Sequence, residues 1–191
     1  RDFFRHLGRG LVSTMYEAVS GVRETIDTAP PAEKPTPPRP WIRPPGALPE
    51  DRFRKTCTQC TDCQEACPYD AIRRLGPEWG DDAGTPAIIP LESPCYLCAD
   101  MPCITVCEPK ALLSTPLQDV NMGLAVIDMA SCYAAQGQPC DYCVVKCPIG
   151  KTAIHFDAEK RPVVSTEGCT GCGVCAYLCP APAIHIEPTT G

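Results

Sequence analysis

This sequence predicts an α+β fold of small two-stranded sheets, short helices and long loops, and three observations carry that reading. Sixteen of its 191 residues are cysteine, and they fall in four groups of four. After each group comes a small residue followed by an apolar one, at Ala71-Ile72, Ala111-Leu112, Ala153-Ile154 and Ala183-Ile184, so the chain is an internal repeat of one short unit. Aromatic residues make up only 6% of the chain. That is little for an ordinary apolar interior, so something besides side-chain burial must stabilise the fold.

The last group identifies the stabiliser. Cys169 to Pro180 reads CTGCGVCAYLCP: three cysteines spaced by two residues, a fourth four positions on, then proline. This is the bacterial ferredoxin run that holds a cubane 4Fe-4S cluster. Small residues between the cysteines (Thr170, Gly171, Gly173, Val174) let three thiolates converge on one cube. The fourth cysteine cannot turn back onto that cube and ligates the cluster of a neighbouring motif instead. The grouping argues against a disulfide framework, and the tight triple with its proline is more typical of iron-sulfur than of zinc.

Taken in order, residues 1–27 are expected to form an amphipathic helix. Phe4, Leu7, Leu11, Met15, Val19, Val22 and Ile26 recur every three or four residues, with Arg5, Arg9, Glu17, Arg23 and Glu24 mostly off that stripe. Such a stripe suits docking on a membrane or a partner protein. Arg1-Asp2-Phe3-Phe4-Arg5 looks like the tail of a twin-arginine export signal, but Arg9 and Glu17 interrupt the apolar run that should follow. A cytoplasmic or membrane-peripheral location is expected, with a periplasmic one as the alternative. No stretch is long and apolar enough to span a bilayer.

Residues 28–52 carry nine prolines between Pro30 and Pro49 and are expected to form an extended, semi-rigid linker reaching roughly 3 Å per residue. Alternatively this stretch is a strap laid along a partner, anchored by Trp41 and Ile42. Residues 53–191 form the cluster-binding domain. Its first motif is Cys57, Cys60, Cys63 and Cys67; its second is Cys95, Cys98, Cys103 and Cys107; its third is Cys132, Cys140, Cys143 and Cys147; and its fourth is Cys169, Cys172, Cys175 and Cys179. Each motif with its short helical turn and brief strand resembles half of a bacterial two-cluster ferredoxin, so four halves imply two such modules and four 4Fe-4S clusters. Every cysteine is then a ligand.

Motifs one and four share regular spacing and the trailing proline, whereas two and three carry insertions. That favours a nested pairing, in which Cys57, Cys60 and Cys63 are completed by Cys179; Cys169, Cys172 and Cys175 by Cys67; Cys95, Cys98 and Cys103 by Cys147; and Cys132, Cys140 and Cys143 by Cys107. Sequential pairing, one with two and three with four, is the rival.

The stretches CTQCTDCQEACPYDAI, PCYLCADMPCITVC, NMGLAVID and GQPCDYCVVKCPIGKTAI together resemble the NapG/MauM family, ferredoxin-type proteins associated with periplasmic nitrate reductase and methylamine utilisation systems. The second motif is also similar to that of the four-cluster subunits of molybdopterin oxidoreductases, a resemblance that implies the nested pairing. Glu108 departs from the family, replacing the proline expected after Cys107. The resemblance implies electron transfer between a quinol-oxidising membrane partner and a further redox protein such as a terminal reductase or dehydrogenase.

Little else points to chemistry. His155 and His185 read as partly exposed strand residues, and Asp81 and Asp82 with Gly80 and Gly84 as a solvated loop. No phosphate loop or dinucleotide fingerprint occurs. The formal charge of −6, made more negative by about −2 for each loaded cluster, disfavours nucleic acid and favours basic docking faces. The expected function is that of an electron-carrier subunit with no catalytic site of its own, within a multi-subunit, membrane-associated oxidoreductase. A redox sensor or a cluster-assembly factor is the alternative.

Overall fold

The computed structural model of the protein describes residues 39–189. The helix expected over residues 1–27, and the linker up to residue 38, lie outside the described residues.

The first helix, α1 (Glu50–Thr56), starts directly after Pro49. Glu50 and Asp51 in its first turn and Arg54 and Lys55 in its last complement the helix dipole, and Phe53 is its buried anchor. Among the described residues the other four α-helices are single turns, and each carries the third cysteine of one motif: α2 (Asp62–Glu65) Cys63, α3 (Pro102–Thr105) Cys103, α4 (Tyr142–Val145) Cys143 and α5 (Val174–Tyr177) Cys175. The fourth cysteine of each motif lies one residue beyond the helix C-cap. Four residues make about one helical turn, a rise of roughly 6 Å. Third and fourth cysteines are therefore held side by side and displaced along the axis.

Six strands pair into three antiparallel two-stranded sheets, which bears out the α+β expectation. β1 (Ile72–Arg74) pairs with β2 (Pro86–Ile88), β3 (Gly123–Ile127) with β6 (Ile184–Pro188), and β4 (Ile154–Phe156) with β5 (Pro162–Val164). The repeated small-apolar dipeptides open β1, β4 and β6. Their alanines are buried because each sits where the chain turns back over its own cysteine loop. After motif two the equivalent Leu112 makes only an isolated bridge, to Ala47.

That bridge corrects the expected linker. Residues 39–52 do not run free but are built into the same body as the motifs. Ile42 and Ile88 exchange backbone hydrogen bonds of 2.9 and 2.8 Å, and Leu48 donates to the Ala111 carbonyl at 3.0 Å. Trp41 is 1% exposed, among Leu75 and Ala87 with Trp79 edge-on at 5.8 Å. The strap is thus laid on the chain's own core, and Trp41 and Ile42 anchor it there. Proline density argues against strand, yet an edge segment that makes two bridges needs only the N–H groups of Ile42 and its few non-proline neighbours.

Arg43 clamps the strap from within. Its guanidinium lies 4.6 Å from the Trp41 ring and 4.5 Å from the Phe53 ring. It donates to Glu50 at 2.9 Å, Asp82 at 2.6 Å, Thr85 at 2.7 Å and the Pro86 carbonyl at 2.9 Å. Arg54 adds a second pair to Asp82 at 2.8 Å. Asp82, expected in a solvated loop, is therefore a buried partner of two arginines. Paired charges and fully used donors are what make burial of such a cluster tolerable.

Candidate metal centres

Strand pairing brackets the motifs two by two. The Ala47–Leu112 bridge closes the segment containing motifs one and two, and the β3–β6 pairing closes the segment containing motifs three and four. In the first module α2 packs on α3, and in the second α4 packs on α5. Each fourth cysteine is thereby delivered to its sequence neighbour.

Three cavities show the outcome directly. One is lined by Cys57, Cys60, Cys63 and Cys107. A second is lined by Cys67, Cys95, Cys98 and Cys103. A third is lined by Cys147, Cys169, Cys172 and Cys175. We call these cages I, II and IV. Cys132 and Cys140 lie beside Cys143, and Cys179, with Cys147, Cys169 and Cys175, packs on the core cluster that holds Cys143; the four cysteines left over by the three cavities, Cys132, Cys140, Cys143 and Cys179, we call cage III. The sequential pairing is the one realised, and the nested pairing is corrected: Cys107, not Cys179, faces Cys57, Cys60 and Cys63. Regular spacing and a trailing proline are properties of one loop. They carry no information about which loop lies opposite.

Loop geometry shapes the cages. Thr61, Met101 and Gly173, the residues before α2, α3 and α5, have positive φ, which turns the chain sharply from loop to helix. A Cβ on Gly171 would come within 2.5 Å of the Gly123 backbone, so only glycine lets the fourth motif lie against β3. Backbone N–H groups of Ala71, Leu112 and Ala183 point at the sulfurs of Cys67, Cys107 and Cys179, each at 3.4 Å. The small-apolar dipeptide therefore has a second role, as a hydrogen-bond donor to the crossing cysteine.

Without a positive core these cysteines stay protonated. Burial, augmented by neighbouring cysteines, pushes Cys63 and Cys95 up to about 12 and Cys103 and Cys143 up to about 11, and raises Cys175 further. Thiolates at these positions need a positive core to compensate. Among the described residues no three Cys, His, Asp or Glu side chains converge closely enough for a single ion. The cysteines stand round a cavity, not round a point, which fits a four-iron cube better than zinc. In cage IV the buried Thr170 hydroxyl, lacking a nitrogen or oxygen partner, lies at the Cys172 sulfur, where it favours the thiolate. His155 and His185 are exposed on β4 and β6, and His185 lies 3.6 Å from Glu187. The Arg43 cluster beside cage I was not legible in the sequence, since its members come from two separated segments, residues 41–54 and 82–86.

Comparison with known proteins agrees with these centres. Residues 162–185 match the family model described as a 4Fe-4S binding domain. The chain is 38% identical over 162 residues to the ferredoxin-type protein NapG of Escherichia coli K12, covering 77% of this chain and 70% of that protein. It is 41% identical over 150 residues to the methylamine utilization ferredoxin-type protein MauM of Paracoccus denitrificans, covering 72% and 66%. With MauM of Methylophilus methylotrophus it shares 36% identity over 191 residues, covering 94% and 79%. No solved structure matches. With relatives of this similarity along most of its length, the chain belongs to the NapG/MauM family of ferredoxin-type iron-sulfur proteins.

Proposed function

We propose that this protein is a one-electron relay holding four 4Fe-4S clusters. Cys57, Cys60, Cys63 and Cys107 hold the first; Cys95, Cys98, Cys103 and Cys67 the second; Cys132, Cys140, Cys143 and Cys179 the third; and Cys169, Cys172, Cys175 and Cys147 the fourth. The observation that carries this reading is the set of cavities lined by three cysteines of one motif and the last cysteine of its neighbour. A cubane bound there supplies reversible one-electron storage. The chain's own residues do the rest. The buried Ala-Ile and Ala-Leu pairs limit water, and the N–H groups of Ala71, Leu112 and Ala183 withdraw charge from three crossing sulfurs, which sets potentials.

The partners in this reading are redox proteins of a multi-subunit, membrane-associated oxidoreductase: a quinol-oxidising membrane protein on one side and a terminal reductase or dehydrogenase on the other. The relatives' ferredoxin-type names support carriage of electrons in preference to catalysis. No helix among the described residues is long and apolar enough to cross a membrane. Anaerobic reductive titration tests the relay, with an uptake of about four electrons per chain expected and full return on reoxidation. Uptake of fewer than two, or loss of a cluster to added apo-ferredoxin in each cycle, would overturn it in favour of a cluster donor.

A further inference from the structure

We infer that the four sites form one unbranched line in the order cage I, cage II, cage IV, cage III, with the backbone contact between Cys95 and Cys172 as its midpoint. The inference rests on the four-cluster reading.

Within each module the adjacency follows from the helices. Cys63 of cage I and Cys67 of cage II flank the end of one turn, and Cys103 of cage II and Cys107 of cage I flank another. Cys143 with Cys147 and Cys175 with Cys179 tie cages III and IV in the same way. Two pairs result, and the question is how they join.

One place joins them. The Cys95 N–H donates to the Cys172 carbonyl at 2.9 Å, and among the described residues this is the one backbone hydrogen bond between residues 39–113 and residues 120–189. Cys172 and Val174 are buried in the same core cluster as Cys95, Cys103 and Cys107. Gly173, at φ +87°, lies so close to Pro90 that a Cβ there would come within 2.5 Å of it. Cages II and IV therefore share a dry wall whose one backbone hydrogen bond joins two of their own cysteine residues. Cage I borders the same core cluster through Cys107 but, like cage III, has no cysteine at that hydrogen bond, and these two are the ends. Cage I reaches the surface, since Cys60 alone among the sixteen cysteines is exposed. The order of the line thus differs from the order of the motifs in the chain, because the third motif is the far end and the fourth is the bridge.

Magnetic coupling between reduced clusters reads this order. The full chain, purified anaerobically and reduced, is compared by electron paramagnetic resonance with Cys98→Ala and Cys140→Ala, each expected to retain about twelve irons. Cys98→Ala removes an inner site and should leave one uncoupled signal beside a coupled pair. Cys140→Ala removes an end and should leave three clusters still coupled. The reverse pattern, or coupling of all three remaining clusters in Cys98→Ala, overturns the order. Gly173→Ala keeps every cysteine and serves if an alanine variant fails to fold. With about sixteen irons retained, it should weaken coupling between the pairs and spare coupling within them, and an unchanged spectrum contradicts the inference. Wild-type protein without iron would instead refute the four-cluster reading itself.

Discussion

At the scale of single residues, the crossing cysteines and the buried arginine carry most of the account. Cys67 follows α2 of the first motif but lines the cavity of the second. Cys67→Ser should therefore perturb the cluster held by Cys95, Cys98 and Cys103 and leave that of Cys57, Cys60 and Cys63 in place. Iron analysis with Mössbauer spectroscopy checks this; loss of the Cys57 site, or of the Cys169 site, would contradict the pairing. Arg43 contacts two carboxylates and two aromatic rings. Arg43→Met leaves Glu50 only Arg39 and Asp82 only Arg54 as ionic partners and should cost about 2–3 kcal/mol in denaturant unfolding.

The same carboxylates give a pH dependence. Burial raises both, but hydrogen bonds and charge from Arg43 and Arg39 at Glu50, and from Arg54 and Arg43 at Asp82, outweigh it and hold both below their ordinary values of 4.5 and 3.8. A group depressed by folding stabilises the native state above its unfolded value. That stability is lost as pH falls through the lowered one. Unfolding followed by the fluorescence of Trp41 and Trp79 should therefore steepen below about pH 4.5, and Asp82→Asn should flatten the dependence while lowering stability at neutral pH.

At the scale of elements, the helical turns and short strands were legible because each repeat announces itself: cysteine loop, turn, small residue, apolar residue. The strap was not. Its prolines identify an extended chain correctly, but extension alone does not distinguish a free spacer from an edge segment. What decides is Trp41, Ile42, Leu48 and Phe53, apolar residues too closely spaced to remain in water once a core is near. The salt-bridge partner of Arg43, Asp82, lies 39 residues away, beyond any local pattern. Trp41→Ala should destabilise the first module by about 3–5 kcal/mol and lower iron retention in cages I and II with little change in cages III and IV. Equal loss from both modules, read by iron content after partial denaturation, would show that the strap does not belong to the first module alone.

At the scale of the whole molecule, composition and spacing made the cysteine chemistry legible, and the relatives agree. The pairing of motifs was not legible, because it is decided by which strands close each module: Ala47 against Leu112, and β3 against β6. Those pairings lie 65 and about 60 residues apart, and no property of a cysteine loop encodes them. The charge of −6, deepened by the clusters, gives the loaded molecule a strongly negative field suited to basic partners. All of these features presuppose that the cages are filled with iron. Anaerobic purification followed by iron and acid-labile sulfide analysis tests that most directly: about sixteen of each per chain are expected, and colourless protein, or zinc in their place, would contradict the account.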